Sequence, residues 1–238
     1  MIVAVDIGNT RIKWGVHDGA KWLNRGALLT SEAALLADVA AHWPQQAAVV
    51  ACNVAGSVTE RLVVDALQHR PVLRWLRSSH EACGVRNSYE QPEKLGADRW
   101  AALIGARGKT DEPCLVVCAG TATTVDLLDG DGLFRGGLIL PGMDLMRAAL
   151  AHNTAQLPLA DGEFQAEPRS TVDAIHSGCL HAQLGAIERM FASLSGTPGA
   201  LCFMTGGAAA RIAPHLNIPY VLTENLILEG LVRFGASL

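Results

Sequence analysis

Residues 2–16 read IVAVDIGNTRIKWGV, and this stretch decides the fold. The β-branched run Ile2–Val5 predicts a buried strand that ends at a polar loop, and Ile12–Val16 predicts a second strand. Asp18-Gly19 is typical of a turn and precedes a third predicted strand, Trp22–Leu29. The chain therefore opens with a strand, a small polar loop, a second strand, a hairpin turn and a third strand.

The same series recurs in the second half of the chain. A predicted strand at Leu115–Val117 runs into the loop Cys118-Ala119-Gly120-Thr121, and a second strand follows at Thr123–Leu128. Asp129-Gly130-Asp131-Gly132 then turns into a third strand, Leu133–Leu140. A repeated strand-loop-strand unit with helices after each copy favours an α/β fold of two similar lobes with a cleft between them.

Segments with apolar residues at helical spacing lie between and after these strands. Ser57-x-x-Glu60 is typical of a capping box and predicts that the second helix opens there. The predicted helices cover Ser31–Trp43, Thr59–His69, Lys94–Lys109, Met143–Ala151, Val172–Leu194, Ala208–Leu216 and Glu224–Phe234. Further strands are predicted at Ala47–Ala51, Val72–Leu76 and Ala200–Met204.

Composition and charge exclude several classes of protein. The net charge is −4 and the basic residues are scattered singly, so we expect neither a nucleic-acid nor a membrane surface. No apolar run is long enough to span a membrane, and the first ten residues lack the basic region of a signal peptide. The six cysteines contain no C-x-x-C pair, which favours reduced thiols and a cytoplasmic location.

The chain has neither a G-x-x-x-x-G-K-[ST] nor a G-x-G-x-x-G signature, which excludes P-loop enzymes and Rossmann dehydrogenases. The polar loop Asp6-Ile7-Gly8-Asn9-Thr10 is instead the first candidate for phosphate binding. Gly8 lets the backbone approach a phosphate, while Asn9 and Thr10 add neutral donors and Lys13 adds a positive charge. Asp6, at the end of the strand, could hold Mg²⁺ directly or through water. The same short pattern is also typical of a plain Asx turn between two strands.

The matching loop in the second half carries hydroxyl groups around a glycine. Gly120-Thr121-Ala122-Thr123-Thr124 is followed by Asp126, and these groups could clamp phosphates from the opposite side. Threonines are also common in ordinary strands, so this loop alone fits a plain hairpin edge equally well. The occurrence of both loops at equivalent places in a duplicated topology favours the functional interpretation.

An acid and a base stand next to each other where a helix is predicted to start, in Gly96-Ala97-Asp98-Arg99. Asp98 could accept a hydroxyl proton during phosphoryl transfer, and Arg99 could bind a substrate carboxylate through its forked donors. An acidic residue at a helix start is also a common stabilising feature without any catalytic role. Tyr89 lies in a polar loop seven residues before this segment and is typical of a surface or lid residue.

Taken together, these motifs resemble those of the type III pantothenate kinases, including the branch of proteins called Bvg accessory factors. The resemblance extends from residue 2 to about residue 230 and rests on five segments in the family's order: Asp6–Thr10, Gly96–Arg99, Ala119–Asp126, Gly136–Gly142 and Thr205–Gly207. It implies an actin-like (acetate kinase/sugar kinase/Hsp70-type) fold of duplicated ribonuclease H-like lobes with an interlobe cleft. The N-terminal lobe would cover residues 1–112 with the first phosphate loop and the pantothenate site. The C-terminal lobe would cover residues 113–238 with the second phosphate loop and the adenosine side.

The resemblance also implies an activity, partners and residue roles. A cytoplasmic homodimer would phosphorylate pantothenate to 4′-phosphopantothenate with ATP and Mg²⁺, in the first step of coenzyme A biosynthesis, and a monovalent cation (K⁺ or NH₄⁺) would assist. Asp98 would be the general base. The implied ATP-binding residues are Asp6, Ile7, Gly8, Asn9, Thr10, Arg11, Ile12, Lys13 and Thr121, and Asp6 would also serve the metal. The implied pantothenate-binding residues are Tyr89, Gly96, Ala97, Asp98, Arg99 and Thr171.

One position departs from the family pattern. The family usually has Asp-x-Gly-Thr in the second loop, where the Asp helps to bind the monovalent cation, but this chain has Cys118. A neutral thiol is a poor ligand for a hard cation, so the site is weaker, rebuilt from carbonyls and waters, or lost. Two alternative functions stay open at this point: an actin-like-fold kinase for another small hydroxylated acceptor, and a non-catalytic accessory protein that retains the nucleotide-binding fold.

Overall fold

A computed structural model describes residues 1–237, and its strands and helices are numbered in chain order. The strands are β1 (Ile2–Ile7), β2 (Arg11–His17), β3 (Trp22–Leu29), β4 (Ala48–Asn53), β5 (Leu73–Trp75), β6 (Glu81–Ala82), β7 (Val85–Asn87), β8 (Cys114–Ala119), β9 (Ala122–Leu128), β10 (Leu133–Pro141), β11 (Leu201–Thr205) and β12 (Tyr220–Leu222). The α-helices are α1 (Leu36–Ala41), α2 (Gly56–Ala66), α3 (Ala97–Arg107), α4 (Met143–Asn153), α5 (Thr171–Phe191), α6 (Ala209–Ile212) and α7 (Leu226–Ala236).

These elements form two units, each with its own core. The first unit comprises Met1–Asp111, Asp131–Arg135 and the chain from Asn225 onward, and the second comprises Glu112–Gly130 and Gly136–Glu224. The division expected at residue 112 lies beside the first crossing between the units. The short segment Asp131–Arg135 and helix α7, however, belong to the first unit, because α7 packs against α3, β1 and β4.

The sheet of the first unit has the strand order β3-β2-β1-β4-β5. Strand β1 runs antiparallel to β2 and parallel to β4, and β4 runs parallel to β5. The side chains of Val3, Val5, Ile7 and Ile12 are fully buried in the core beneath this sheet. The strands that carry the first polar loop are therefore anchored by apolar burial on both sides of that loop.

The second unit repeats this arrangement. Its strands follow the order β10-β9-β8-β11-β12, in which β8 is antiparallel to β9 and parallel to β11, and β11 is parallel to β12. Strands β8, β9, β10, β11 and β12 thus occupy the places that β1, β2, β3, β4 and β5 have in the first unit. The prediction of a duplicated α/β fold is confirmed by this shared order and direction.

One predicted helix of the first unit is wrong. The segment Ser31–Trp43 forms a 3₁₀ helix over Thr30–Leu35, with non-helical backbone at Glu32, and only then the short α1. Ala33 and Leu36 are both fully buried, and residues three apart share one face of a 3₁₀ helix. Residues three apart share one face of an α-helix as well, so the apolar spacing did not reveal the tighter winding.

The predicted capping box is also wrong. Helix α2 begins at Gly56, and its N-cap residue, Ala55, provides no side-chain hydrogen bond. The Glu60 carboxylate accepts hydrogen bonds from Asn53 Nδ2 at 3.1 Å and from Arg77 Nη2 at 2.9 Å. The Glu60 carboxylate therefore accepts hydrogen bonds from side chains outside the helix and not from the backbone N–H groups at the start of α2.

The predicted helix Ala208–Leu216 is shorter than expected. Helix α6 ends at Ile212, and a 3₁₀ turn at Ala213–His215 follows. Pro214 lies in that turn and has no backbone N–H with which to continue the α-helical hydrogen bonds. Strands β6, β7 and β12, each two or three residues long, were not predicted, since so few residues show no periodicity.

Helices α3 and α7 of the first unit cross in close contact. A side chain at Gly230 would collide with the carbonyl oxygen of Ala101, and a side chain at Gly105 would collide with that of Leu226. The two glycines therefore allow the backbones to approach, and this contact fixes α3, whose first turn carries Asp98 and Arg99. Among residues 1–237, no helix combines the length and the apolar character needed to cross a bilayer.

Candidate active site

The first polar loop connects β1 and β2 as a tight turn. The Gly8 N–H donates to the Arg11 carbonyl at 3.0 Å, and Thr30 Oγ1 donates to the Gly8 carbonyl at 2.7 Å. A Cβ atom at Gly8 would lie 3.1 Å from the Arg11 oxygen, so the turn favours a glycine there. Asn9 and Thr10 are exposed at the tip of the turn.

The residues around this tip divide by the direction of their side chains. Ile7 and Ile12 are fully buried in the core of the first unit, so only their backbone groups could face a ligand. Arg11 is exposed and Lys13 is partly exposed. Alternation along β1 and β2 thus leaves Asp6 and Lys13 as the charged groups beneath the loop.

Asp6 is a buried carboxylate with neighbours on both adjacent strands. In register it pairs with Lys13 on β2 and with Cys52 on β4, and Cys52 Sγ donates to Asp6 Oδ1 at 3.5 Å. The side chain is only 6% exposed, and burial raises the pKa of Asp6 to about 6. The nearby Asp98 carboxylate raises this pKa further, whereas Lys13 and the Cys52 hydrogen bond lower it.

Asp98 lies in the first turn of α3, close enough to Asp6 for their charges to interact. Burial raises the pKa of Asp98, while the Arg99 backbone N–H, which donates to Asp98 Oδ1 at 2.8 Å, and the Arg99 charge lower it. A Cβ atom at Gly96 would lie 2.7 Å from the same oxygen, so this glycine leaves room for the carboxylate. Ala97 begins the helix between them.

Arg99 points into an aromatic pocket of the first unit. Its Nη1 donates to the Tyr89 hydroxyl at 2.9 Å, and its Cζ lies 5.7 Å from the ring centroids of both Tyr89 and Phe134. The residue is only 4% exposed. A guanidinium that packs against two rings and donates to the hydroxyl of one of them has a defined orientation, which suits recognition of a carboxylate.

Two residues of this region were missed by sequence reasoning. Phe134 reaches Arg99 from the start of β10, 35 positions further along the chain, and no local pattern in the sequence could have indicated the contact. Cys52 reaches Asp6 from β4, and only the strand register shows that pairing. A sequence signal did exist for Asn87, because its Oδ1 accepts from the Tyr89 N–H at 3.1 Å in an Asx turn.

The second polar loop belongs to the second unit and has a related turn. The Gly120 N–H donates to the Ala122 carbonyl at 3.0 Å, and the Gly142 N–H donates to the Thr121 carbonyl at 2.9 Å. Thr121 is exposed, whereas Thr123 and Thr124 are buried and their hydroxyls have no hydrogen-bond partner among the described residues. Buried hydroxyls without partners indicate a place where a polar ligand or water completes the structure.

Cys118 occupies in β8 the place that Asp6 has in β1, second from the end of the strand. Its register partners are Thr124 on β9 and Thr205 on β11. The duplicated fold thus has a carboxylate at this place in the first unit and a thiol in the second.

Thr171 is the first residue of α5 and is exposed. Ser170 caps this helix by accepting from the Asp173 N–H at 3.1 Å. The structure therefore places Asp6, Lys13, Tyr89, Asp98 and Arg99 together in the first unit, and it places Thr121 and Thr171 in the second.

The first unit holds two carboxylates whose charges interact, Asp6 and Asp98. No cluster of three or more His, Cys, Asp or Glu side chains suited to a metal occurs in residues 1–237. Mg²⁺ in phosphoryl-transfer sites is commonly held by one or two carboxylates together with waters and the substrate phosphates. The donor set around Asp6 therefore fits Mg²⁺ that arrives with a nucleotide.

Solved structures with a similar fold span nearly all of the chain. A candidate transcriptional activator of the Baf family from Campylobacter jejuni matches with a TM-score of 0.63 and 22% identity, over 99% of this chain and 100% of that one. A candidate 2-dehydro-3-deoxygalactonokinase from Sinorhizobium meliloti matches with a TM-score of 0.65 and 15% identity, over 100% and 99% of the two chains. At these identities the likeness shows the fold, a two-lobed α/β fold of the actin-like class.

Relatives of known family match at much higher identity. A type III pantothenate kinase from Aromatoleum aromaticum is 53% identical over 97% of this chain and 96% of its own length. Another, from Dechloromonas aromatica, is 51% identical over 97% of both chains. The model of the type III pantothenate kinase family matches residues 2–193. This chain therefore belongs to the type III pantothenate kinase family.

Proposed function

We propose that this chain transfers the γ-phosphate of ATP to pantothenate and forms ADP and 4′-phosphopantothenate, the first step of coenzyme A biosynthesis. Membership of the type III pantothenate kinase family supports the reaction. The roles of individual residues are inferred from the arrangement of three side chains in the first unit. There, the Asp98 carboxylate interacts electrostatically with buried Asp6, and the next residue, Arg99, packs against two aromatic rings.

Asp98 acts as the general base on the acceptor hydroxyl. As the new O–P bond forms, the hydroxyl proton passes to the Asp98 carboxylate and ADP leaves with the electrons of the broken bond. Burial raises the pKa of Asp98 above its ordinary value, which makes the carboxylate a better proton acceptor than an exposed one. Arg99 pairs with the pantothenate carboxylate and holds the hydroxyl in reach, together with Tyr89, Gly96, Ala97 and, from the second unit, Thr171.

The first loop, Asp6–Lys13, and Thr121 of the second loop bind the phosphates of ATP. Asn9 and Thr10, exposed at the tip of the turn, and the Lys13 ammonium supply the donors and the positive charge that phosphates require. Asp6 would hold Mg²⁺, directly or through water, and the ion would supply positive charge next to the phosphates. Burial and the Asp98 charge destabilise the ionised Asp6 carboxylate, which is why its pKa is raised. A cation bound there would compensate this charge.

A monovalent cation is the one cofactor that the residues do not fit. Cys118 stands between Thr124 and Thr205, where the family pattern has an Asp, and a thiol is a poor ligand for K⁺ or NH₄⁺. We therefore expect turnover without a strict requirement for either cation.

A cytoplasmic homodimer is the assembly that fits the surface and the thiols. Large apolar side chains are exposed in the second unit at Leu138, Ile139, Leu145 and Leu150, and burial between two copies would remove them from water. The six cysteines are present as thiols and not as disulfides, as in a reducing compartment.

The test is an assay of ADP release from purified protein with Mg-ATP and a panel of hydroxylated acceptors, with and without K⁺ or NH₄⁺. We expect turnover with pantothenate, little change on adding either cation, and a dimer by light scattering. Turnover with a different acceptor would favour a kinase of other specificity. Absence of turnover in a folded protein would favour the accessory role and would contradict the proposal.

A further inference from the structure

We propose that Phe134 is a positioning residue, which orients Arg99 and thereby makes the acceptor site selective for a substrate that carries a carboxylate. The inference rests on the proposed function, because it assigns Arg99 to the pantothenate carboxylate. It adds to that function a residue that no motif includes and a physical basis for substrate selection.

The geometry around Arg99 is the first step of the argument. Phe134 is fully buried, and the Arg99 Cζ lies 5.7 Å from its ring centroid and 5.7 Å from that of Tyr89. The two rings are themselves in contact, with centroids 5.5 Å apart and an angle of 36° between their planes. Arg99 thus has an aromatic ring from each of two separate chain segments against its guanidinium.

The backbone fixes Phe134 relative to Tyr89. Phe134 pairs with Asn87 in the parallel register of β10 and β7, and the Ser88 hydroxyl donates to the Phe134 carbonyl. Asn87 Oδ1 in turn accepts from the Tyr89 N–H at 3.1 Å. Phe134 therefore lies on the ladder itself and Tyr89 is tied to the end of that ladder by the Asn87 turn, which sets the spacing of the two rings around Arg99.

The chemical consequence concerns how a buried cation is stabilised. Burial of a guanidinium without compensation is costly, and cation–π contact offsets part of that cost when the site is desolvated. Ring faces stabilise the cation without consuming its N–H donors, which are what a carboxylate requires. Tyr89 contributes both a ring and a hydroxyl acceptor, whereas Phe134 contributes the ring alone. Phe134 therefore controls orientation and leaves the binding chemistry to Arg99.

The experiment compares two acceptors that differ at one group: pantothenate, and pantothenol, in which a hydroxymethyl group replaces the carboxylate. In Phe134→Leu we expect kcat/KM for pantothenate to fall about 10-fold, since one cation–π contact at a desolvated site is lost. The kcat/KM for pantothenol and the KM for ATP should change less than about 2-fold. Phe134→Tyr restores a ring and should recover most of the pantothenate selectivity.

Two further variants separate positioning from simple loss of stability. Phe203→Leu removes a buried ring from β11 in the second unit and should lower thermal stability without altering the ratio of the two acceptors. Phe134→Met keeps an apolar side chain of similar volume without a ring, and it should reproduce the selectivity loss of Phe134→Leu even where the leucine variant folds poorly.

The outcomes also distinguish this inference from the proposed function. Equal losses for both acceptors in Phe134→Leu, or no loss for either, would overturn the positioning role while wild-type turnover of pantothenate upholds the function. If the wild type binds pantothenate in calorimetry but does not phosphorylate it, the function fails. An affinity about 10-fold weaker in Phe134→Leu then supports the positioning role, and an unchanged affinity refutes it. Absence of pantothenate binding to the wild type would overturn both.

Discussion

Cys52 on β4 stands directly opposite Asp6 on the parallel strand β1, and its Sγ donates a hydrogen bond to Asp6 Oδ1 at 3.5 Å. One of the two carboxylate oxygens of Asp6 is thereby engaged by the protein. Burial and the Asp6 charge both raise the pKa of the Cys52 thiol, so the thiol keeps its proton and remains a donor. The orientation of the carboxylate that faces the first loop therefore depends on a side chain 46 residues away.

The Cys52–Asp6 hydrogen bond predicts a defect in nucleotide use when the donor is removed. Cys52→Ala should raise the KM for Mg-ATP about 3- to 10-fold, in line with the ~0.5–1.5 kcal/mol that a buried hydrogen bond contributes. Cys52→Ser keeps a donor and should stay close to the wild type. Steady-state kinetics at saturating pantothenate measures the effect. Equal KM values in the alanine and serine variants would show that the thiol does not orient Asp6.

The raised pKa of Asp6 predicts that this carboxylate lowers the stability of the protein at neutral pH. The folded state holds the Asp6 proton more tightly than the unfolded chain does, with a pKa of about 6 against 3.8, so the free energy of unfolding falls as pH rises through this window. Asp6→Asn removes the buried charge. It should raise the free energy of unfolding at pH 7.5 by up to about 3 kcal/mol, while it abolishes most kinase activity.

Urea denaturation of wild type and Asp6→Asn between about pH 4 and pH 7.5 measures this difference. The advantage of the asparagine variant should shrink as pH falls through about 6 toward 4, because the folded wild type then takes up a proton at Asp6 while the unfolded chain, with a pKa of 3.8, is still ionised. A difference in unfolding free energy that stays constant over this range would contradict the assignment. Asp65→Asn removes an exposed carboxylate on α2 of the same unit and serves as a control for the loss of a negative charge.

Asp98 predicts a loss of turnover that leaves nucleotide binding intact. Asp98→Asn keeps the shape of the side chain but removes the proton acceptor, so kcat should fall about 10²- to 10⁴-fold. Affinity for Mg-ATP, measured by calorimetry, should change less than about 2-fold, because the general base acts on the acceptor. Asp111→Asn, at a side chain that is 92% exposed, is the matched control and should keep full activity. Retained turnover in Asp98→Asn would remove Asp98 from the role of general base.

The α3–α7 crossing predicts that one glycine is indispensable for stability. Gly230→Ala would place a methyl group against the Ala101 carbonyl, and we expect a loss of more than about 2 kcal/mol in the free energy of unfolding, or no folding. In Gly178→Ala, within α5, the new methyl group meets no atom within 4 Å. The higher helix propensity of alanine should therefore stabilise that variant by about 0.5–1 kcal/mol. Thermal unfolding of the pair checks the prediction, and equal melting temperatures would refute it.

Much of the fold was predictable from residues 2–16 and their counterpart in the second half. Alternation and β-branched runs decided the strands, since these signals arise from local burial on a pleated surface. The strand order could not follow from them, because the pairing of β1 with β4 joins residues more than 40 positions apart. Some local predictions were also wrong. The capping box predicted at Ser57 and Glu60 does not form, because the Glu60 carboxylate binds Asn53 and Arg77.

The amino-acid sequence by itself determined the duplicated strand-loop-strand plan, the two polar loops and the adjacent pair Asp98-Arg99, because each depends on neighbours within a few residues. Only the tertiary structure decided what surrounds them. Cys52 reaches Asp6 through strand register, and Phe134 reaches Arg99 because a short parallel ladder joins β10 to β7. The physical reason is that pKa values and cation–π contacts depend on distance and burial, which long-range packing creates and a local motif does not contain.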